Sequence, residues 1–261
     1  MALRLTYKPR WQASIGTIGG NRVLQYISVG IPLVAVKAMS DWKTARINMV
    51  ESQIRPNAVT DRRLIAALSS VPRERFVPAA KRALAYGDSD VALSESGESG
   101  AARFLIAPMQ FARMVQLAAV AASDHVLDVG CASGYSSAVI ASVAGSVVAL
   151  EEHPRLAALA QVRLSEIGAD NAAVEQGPLT QGFASQGPFD VIFLEGAVDS
   201  VPQTLFEQLG EGGRLIAALP VRGVARVHRY VKAGGAIGGA AAFDAQLPPL
   251  PGFQREPSFT F

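Results

Sequence analysis

One cysteine, Cys131, stands among 261 residues, so no disulfide can form within the chain. Histidine is almost as scarce. His125, His153 and His228 lie far apart, show no metal-ligand spacing, and exclude a structural zinc site. No sign of charge dominates: 24 Lys and Arg face 22 Asp and Glu, which leaves a net charge of +2. The basic footprint of a dedicated nucleic-acid binder is missing. No internal repeat argues for a solenoid. No uninterrupted apolar run is long enough to cross a membrane, because the best stretch, residues 23–36, is broken by Gln25, Ser28 and Pro32. What remains is ordinary globular material. Hydrophobic residues make up 49% and charged residues 18%, enough for a sizeable core in one domain with a small appendage.

The appendage is at the start. Arg4, Lys8, Arg10 and Arg22 precede the apolar stretch, and Lys37-Ala38 follow it, an order that mimics a secretory signal. The preferred reading is a leader over residues 1–38, disordered or from a non-native start, with Met39 as the functional start. Residues 39–261 are then a single domain: a helical region over 39–120, a core over 121–220, and closing strands with a tail over 221–261.

Ser40 is placed to cap a helix that begins at Asp41 and is interrupted at Pro56. A second helix starts at Thr60 or Asp61, carries Leu64, Ile65, Ala67 and Leu68, and ends before Val71-Pro72. Residues 94–100, SESGESG, have the composition of a surface loop, and a helix follows Pro108. From His125 the pattern changes. Strands are predicted at 126–129, 146–150, 172–175, 191–194 and 214–218, with helices at 136–143, 154–167 and 201–209 between them. This alternation implies an α/β fold with a doubly wound, mostly parallel sheet. Two closing strands, 224–231 and 240–245, flank Gly234-Gly235 and Gly238-Gly239. The proline-rich tail, 248–261, is expected to pack over the surface.

The strongest chemical signal is VLDVGCASGY, residues 126–135. Asp128, Gly130, Ala132 and Gly134 follow a strand and precede a helix, where the chain must turn sharply and a ligand can approach the backbone. A dinucleotide fingerprint, counted from Gly130, needs a glycine at the position of Tyr135. The glycine comes one residue earlier, so a nicotinamide site is disfavoured. Glu151 and Glu152 end the next strand, where an acid can accept hydrogen bonds from ribose hydroxyls. Taken singly, they are equally readable as solvated acids at a helix start. Cys131, inside the loop, reads as a buried filler, because no neighbour in sequence would activate its thiol.

The loop spacing resembles that of class I methyltransferases. Longer motifs narrow the resemblance to protein-L-isoaspartate O-methyltransferases: VESQI at 50–54, VPRERFVP at 71–78, Ala85-Tyr86-x-Asp88, Pro188-Phe189-Asp190, and VPQTLFEQLGEGGRL at 201–215. The match runs from Met49 to about Pro220. The resemblance implies a Rossmann-like methyltransferase with a small helical N-terminal region, using S-adenosylmethionine. It implies cofactor contacts at Asp128, Gly130, Cys131, Ala132, Ser133, Gly134, Tyr135, Glu151, Glu152, Gly177, Pro178 and Leu179, with Glu151 favoured over Glu152 for the ribose. The substrate side falls on Arg103, Leu105, Ile106 and Pro108, and no metal is implied.

Three positions depart from the family pattern. The family's T-I-S-x-P segment is here Phe104 to Pro108, with Ile106 at the serine position, so no catalytic residue is assigned. Its G-D-G is Gly177-Pro178-Leu179, and the middle loop glycine is Ala132. Arg103, Ser99 or Gln110 could replace the lost hydroxyl donor, with Arg103 equally readable as a solvated surface charge. The expected function is cytoplasmic O-methyl transfer to an isoaspartyl protein or peptide by a monomer, with no nucleic acid or membrane as partner. The alternatives are a diverged enzyme acting on another small carboxylate, and a cofactor-binding module without turnover.

Overall fold

The computed structural model describes residues 16–18, 21–23, 33–93, 102–221 and 224–254, with side chains from residue 41 onward, 221 and 224 excepted. Two compact units divide the chain, Met1–Ser40 and Asp41–Phe261. In the first, strands β1 (Gly16–Ile18) and β2 (Asn21–Val23) pair antiparallel. Most of the expected leader, the loop 94–100 with its candidate donor Ser99, and residues 255–261 of the tail lie outside the described residues.

Helix α1 spans Leu33–Met49, so Ser40 is an interior residue and not the expected cap. Pro56 does not end the helical path abruptly. The chain widens into a π turn, Val50–Ile54, then tightens into a 3-10 turn, Arg55–Asn57. Helix α2 (Arg62–Ser70) is capped by Asp61, whose side chain accepts from the amides of Arg63 and Leu64. Its Leu64, Ile65 and Leu68 are buried, one helical face apart from the rest. Helix α3 (Pro108–Ala118) starts on a proline that needs no donor there, and it buries Phe111, Met114, Val115 and Ala118 at helical spacing.

A seven-stranded sheet forms the centre, built from β5 (His125–Val129), β6 (Ser146–Glu151), β7 (Ala172–Gln176), β8 (Phe189–Ala197), β9 (Leu209–Val221), β10 (Val224–Ala233) and β11 (Ala236–Ala245). The spatial order is β11-β10-β9-β8-β5-β6-β7. Strands β5 to β9 are parallel to their neighbours, and β10 and β11 add an antiparallel edge. Helices α4 (Tyr135–Ala141) and α5 (Pro154–Glu166) connect β5 to β6 and β6 to β7. After β7 the chain crosses back to lay β8 on the other side of β5. That reversal opens a crevice at the carboxyl ends of β5 and β8, the place where open α/β sheets bind ligands.

Two sequence expectations change here. Helix α6 is only Gln203–Glu207, because the Phe189 amide already donates to the Gln208 carbonyl (2.8 Å) and draws the chain into strand pairing. Gly234-Gly235 form the expected turn, but Gly238 and Gly239 sit inside β11 and not between the closing strands; a Cβ at Gly239 would come within 2.5 Å of the Tyr230 ring. The tail, as far as residue 254, packs over the surface as expected, with Pro249, Gly252 and Gln254 exposed. Leu247, Leu250 and Phe253, spaced every third residue, are all buried.

Candidate functional site

The loop between β5 and α4 turns through left-handed backbone at Gly130 (φ 85°), Ala132 (φ 50°) and Gly134 (φ 92°). Glycine serves twice for steric reasons: a Cβ at Gly134 would press on Ala160 of α5 at 3.1 Å. Ala132 holds an uncommon conformation for a residue with a side chain. Its amide is fixed by donating to Glu151 Oε2 at 2.7 Å. The amides of Gly130 and Cys131 both donate to the Leu150 carbonyl, and the Ser133 hydroxyl donates to the Phe76 carbonyl. The loop is thereby tied both to the next strand and to the VPRERFVP segment.

Carboxyl groups concentrate beneath it. Asp128 is fully buried, with the Ser136 and Ser137 hydroxyls donating to Oδ2 at 2.7 and 2.6 Å. Glu151 is also fully buried. Its Oε2 accepts from Ala132 and from Arg103 Nη2 (2.9 Å), and its Oε1 accepts from the His153 amide (3.0 Å). Arg103 is 4% exposed and the same Nη2 donates to the Gly130 carbonyl at 2.7 Å. The surface-charge reading of Arg103 is therefore wrong: a buried carboxylate draws it inward, onto the glycine loop. Glu152, by contrast, is exposed, which separates the two acids as expected.

Glu195, at the end of β8, escaped sequence reading. An acid directly after the apolar run 191–194 was the available signal. It is buried beside Asp128, and desolvation, then the Asp128 charge, pushes its carboxyl well above the ordinary range. Desolvation, opposed by the Ser137 and Ser136 hydroxyls, raises Asp128 to about 6. Asp128 Oδ1 and Glu195 Oε1 are buried and accept from no ordinary donor among the described residues. A proton held between the two carboxyls would satisfy both oxygens, and each carboxyl is among the causes of the other's shift. Burial, and then the charges of Glu151 and Asp128, push the Cys131 thiol well above its usual value, which agrees with an inert filler.

The segment 104–108 forms the other wall. Strand β4 (Phe104–Leu105) pairs with β3 (Val91–Ala92), and Leu105, Ile106 and Pro108 are buried. Arg73, from VPRERFVP, is fully buried and donates to the Ile106 carbonyl (2.6 Å) and the Ala85 carbonyl (2.7 Å). Its guanidinium carbon lies 4.7 Å from the centre of the Tyr135 ring. Asp90 accepts from the Ala107 amide at 2.7 Å. Ile106 itself belongs to the main apolar core.

On the far side, the Gly177 amide donates to the Glu151 carbonyl. Leu179 is buried against Val129, Leu150 and Leu250, whereas Pro178 is exposed. A groove of about 610 Å³ opens nearby, lined by Gln110, Ala197, Asp199, Gln246, Leu247 and Gln254 among others. Gln110 Oε1 is buried there without a partner among the described residues.

The model of the protein-L-isoaspartate(D-aspartate) O-methyltransferase family matches residues 44–243, beyond the Pro220 limit of the sequence motifs and across the closing hairpin. A Koribacter versatilis protein-L-isoaspartate O-methyltransferase is 34% identical over 222 residues, 85% of this chain and 97% of that protein. A Herpetosiphon aurantiacus protein of the same name is 36% identical over 69% of this chain and 79% of its own length. Among solved structures, a protein-L-isoaspartate O-methyltransferase superposes with a TM-score of 0.71 at 24% identity, over 79% of this chain and 66% of that one. A Plasmodium falciparum structure, described as an enzyme of that name in complex with S-adenosyl-L-homocysteine, superposes with a TM-score of 0.65 at 19% identity, over 80% and 97%. The glycine loop, the acid behind it and the Arg73-anchored wall thus lie within one matched span, and the chain belongs to the protein-L-isoaspartate(D-aspartate) O-methyltransferase family.

Proposed function

We propose that this chain is an S-adenosylmethionine-dependent O-methyltransferase acting on the carboxylate of L-isoaspartyl residues in proteins or peptides. The match to the family over residues 44–243 carries this reading. Side-chain chemistry at the crevice fits the cofactor. Glu151, which in this structure accepts from Arg103, Ala132 and His153, offers an acceptor for ribose hydroxyls once Arg103 withdraws, Gly130 has no side chain of its own to bar the methionine part once Leu250 withdraws, and Leu150 and Leu179 are apolar enough to meet an adenine. When bound, the cofactor supplies a methyl group on an electron-poor sulfonium.

The acceptor carboxylate is ionised at neutral pH, since free carboxyls titrate near pH ~4. No general base is needed. The chain's task is to orient one carboxylate oxygen towards the methyl and to keep water out. Ile106 offers no hydroxyl and its carbonyl is already held by Arg73. Gln110, in the first turn of α3 and lining the groove, is the side chain we assign as the replacement donor. Residues 39–261 act as one methyltransferase domain, with 1–38 as a leader. We assign the chain to the cytoplasm, where its cofactor is made, as a monomer without a nucleic-acid partner. No helix among the described residues is long and apolar enough to cross a membrane.

The test is transfer of labelled methyl to an isoaspartyl peptide beside its normal aspartyl twin. Label on the isoaspartyl peptide alone is expected. Label on neither, with cofactor bound, would leave a binding module without turnover; label on both would point to another carboxylate.

A further inference from the structure

After β11 the chain returns across the sheet to the carboxyl end of β8. There the Ala197 amide donates to the Pro248 carbonyl, the Leu250 amide donates to the Ala197 carbonyl (both 2.8 Å), and the Asp199 amide donates to the Phe253 carbonyl at 3.3 Å. Leu250 is fully buried among Leu127, Val129, Leu150 and Leu179. It lies directly over the loop: a Cβ placed on Gly130 would come within 2.7 Å of Leu250 Cδ1 and 2.9 Å of Arg103 Nη2. A Cβ on Gly196 would meet the Pro248 carbonyl oxygen at 2.9 Å and Leu250 Cβ at 3.0 Å. The two glycines that border the crevice thus give their open space to the chain's own C-terminal segment. Arg103, on Glu151, takes up the acid behind the loop.

We propose that residues 247–253 form an autoinhibitory strap that occupies the cofactor crevice and is displaced when the cofactor binds. The proposal rests on the S-adenosylmethionine reading. It follows from volume: on the side to which a Cβ of Gly130 would project, Leu250 and Arg103 fill the space that a ligand needs to reach the backbone. The strap is suited to leaving. It meets the seven-stranded sheet through a single parallel bridge at the last residue of β8, and the prolines at 248, 249 and 251 lack amide donors that would have to be re-satisfied. Displacement frees the Ala197 and Leu250 amides, the reverse of the protection that ligands ordinarily confer.

Hydrogen exchange on the full chain, with and without S-adenosylmethionine, reads this directly. Added cofactor is expected to speed exchange at Ala197 and Leu250 while slowing it at the loop amides 130–134. Calorimetry on two variants makes the test independent of any one substitution. Residues 197 and 249 form a bridge, so Ala197→Cys with Pro249→Cys, in a Cys131→Ala background, can tether the strap. The oxidised tether is expected to bind cofactor at least tenfold more weakly than its reduced form, and Leu250→Gly severalfold more tightly than the parent chain. Unchanged protection at Ala197 and Leu250 with cofactor bound, or equal affinity of the oxidised and reduced tether, overturns the strap and leaves the methyltransferase reading standing. No cofactor binding by the parent, the reduced tether or Leu250→Gly overturns both.

Discussion

The two walls of the crevice are built on opposite physical lines. Beneath the loop, Asp128, Glu151 and Glu195 share a dry volume with the guanidinium of Arg103, and each charge needs its partners to be tolerable there. The segment 104–108 carries no charge, and its anchors grip only main-chain atoms: Arg73 holds the Ile106 carbonyl and Asp90 the Ala107 amide. A wall held by its backbone is free to change its side chains. That is how Ile106 can stand at the family's serine position while the segment keeps its place. The charged wall has no such freedom, since altering one member strands the others.

The largest effect should come from breaking the charged wall. Glu151→Ala leaves Arg103 buried against an apolar gap and removes the acceptor for the Ala132 and His153 amides, which should cost about 3–5 kcal/mol of stability. Glu152→Ala, at an exposed position, should cost less than about 0.5 kcal/mol. Urea denaturation of both variants checks the ranking. Similar small losses would mean that the Arg103–Glu151 pair is not held in the folded protein.

A smaller effect is expected from the apolar wall. Ile106→Ser removes a core side chain and should cost about 2 kcal/mol. Because the main chain stays anchored, the new hydroxyl stands where the family carries one. Isoaspartyl turnover should then rise about tenfold, with cofactor affinity unchanged. A loss of melting temperature with no gain in turnover would show that the position only packs.

The smallest effect concerns pH. Asp128 and Glu195 both titrate higher in the folded chain than in the open one, so the fold binds proton more readily. Their contribution to stability is fully present below the unfolded value near 4 and is lost as pH rises, through about 6 for Asp128 and through its own raised value for Glu195. Glu195→Gln keeps a donor towards Asp128 without a second titrating group. The variant should lose about 1 kcal/mol less than the parent between pH 5 and pH 8. Identical melting profiles across that range would exclude a shared proton.

Much of this was legible locally. Alternation of apolar strands and helices is a short-range pattern, and five predicted strands fall on β5 to β9 with shifted ends. The glycine spacing at 130–134 is written within five residues, whereas the choice of Glu151 over Glu152 rests on the family resemblance. Ends were misjudged where distant pairing overrode local preference, as when Phe189 draws Gln208 out of α6.

Composition, periodicity and motif spacing in the sequence therefore determined the fold class, the glycine loop and the family, because each is written within a few tens of residues. Tertiary structure alone decided where Arg103 points, that Glu195 lies against Asp128, and that the tail crosses the crevice. Those facts join residues 48, 67 and 120 positions apart, and no local propensity carries such a distance. A guanidinium on an irregular segment has no periodicity to betray its burial; only a carboxylate waiting at the end of β6 determines its direction. Leu247, Leu250 and Phe253 read as scattered apolar residues in a proline-rich tail until the sheet brings Gly130 and Gly196 beneath them, and the missing side chains there leave a slot that an apolar residue fills.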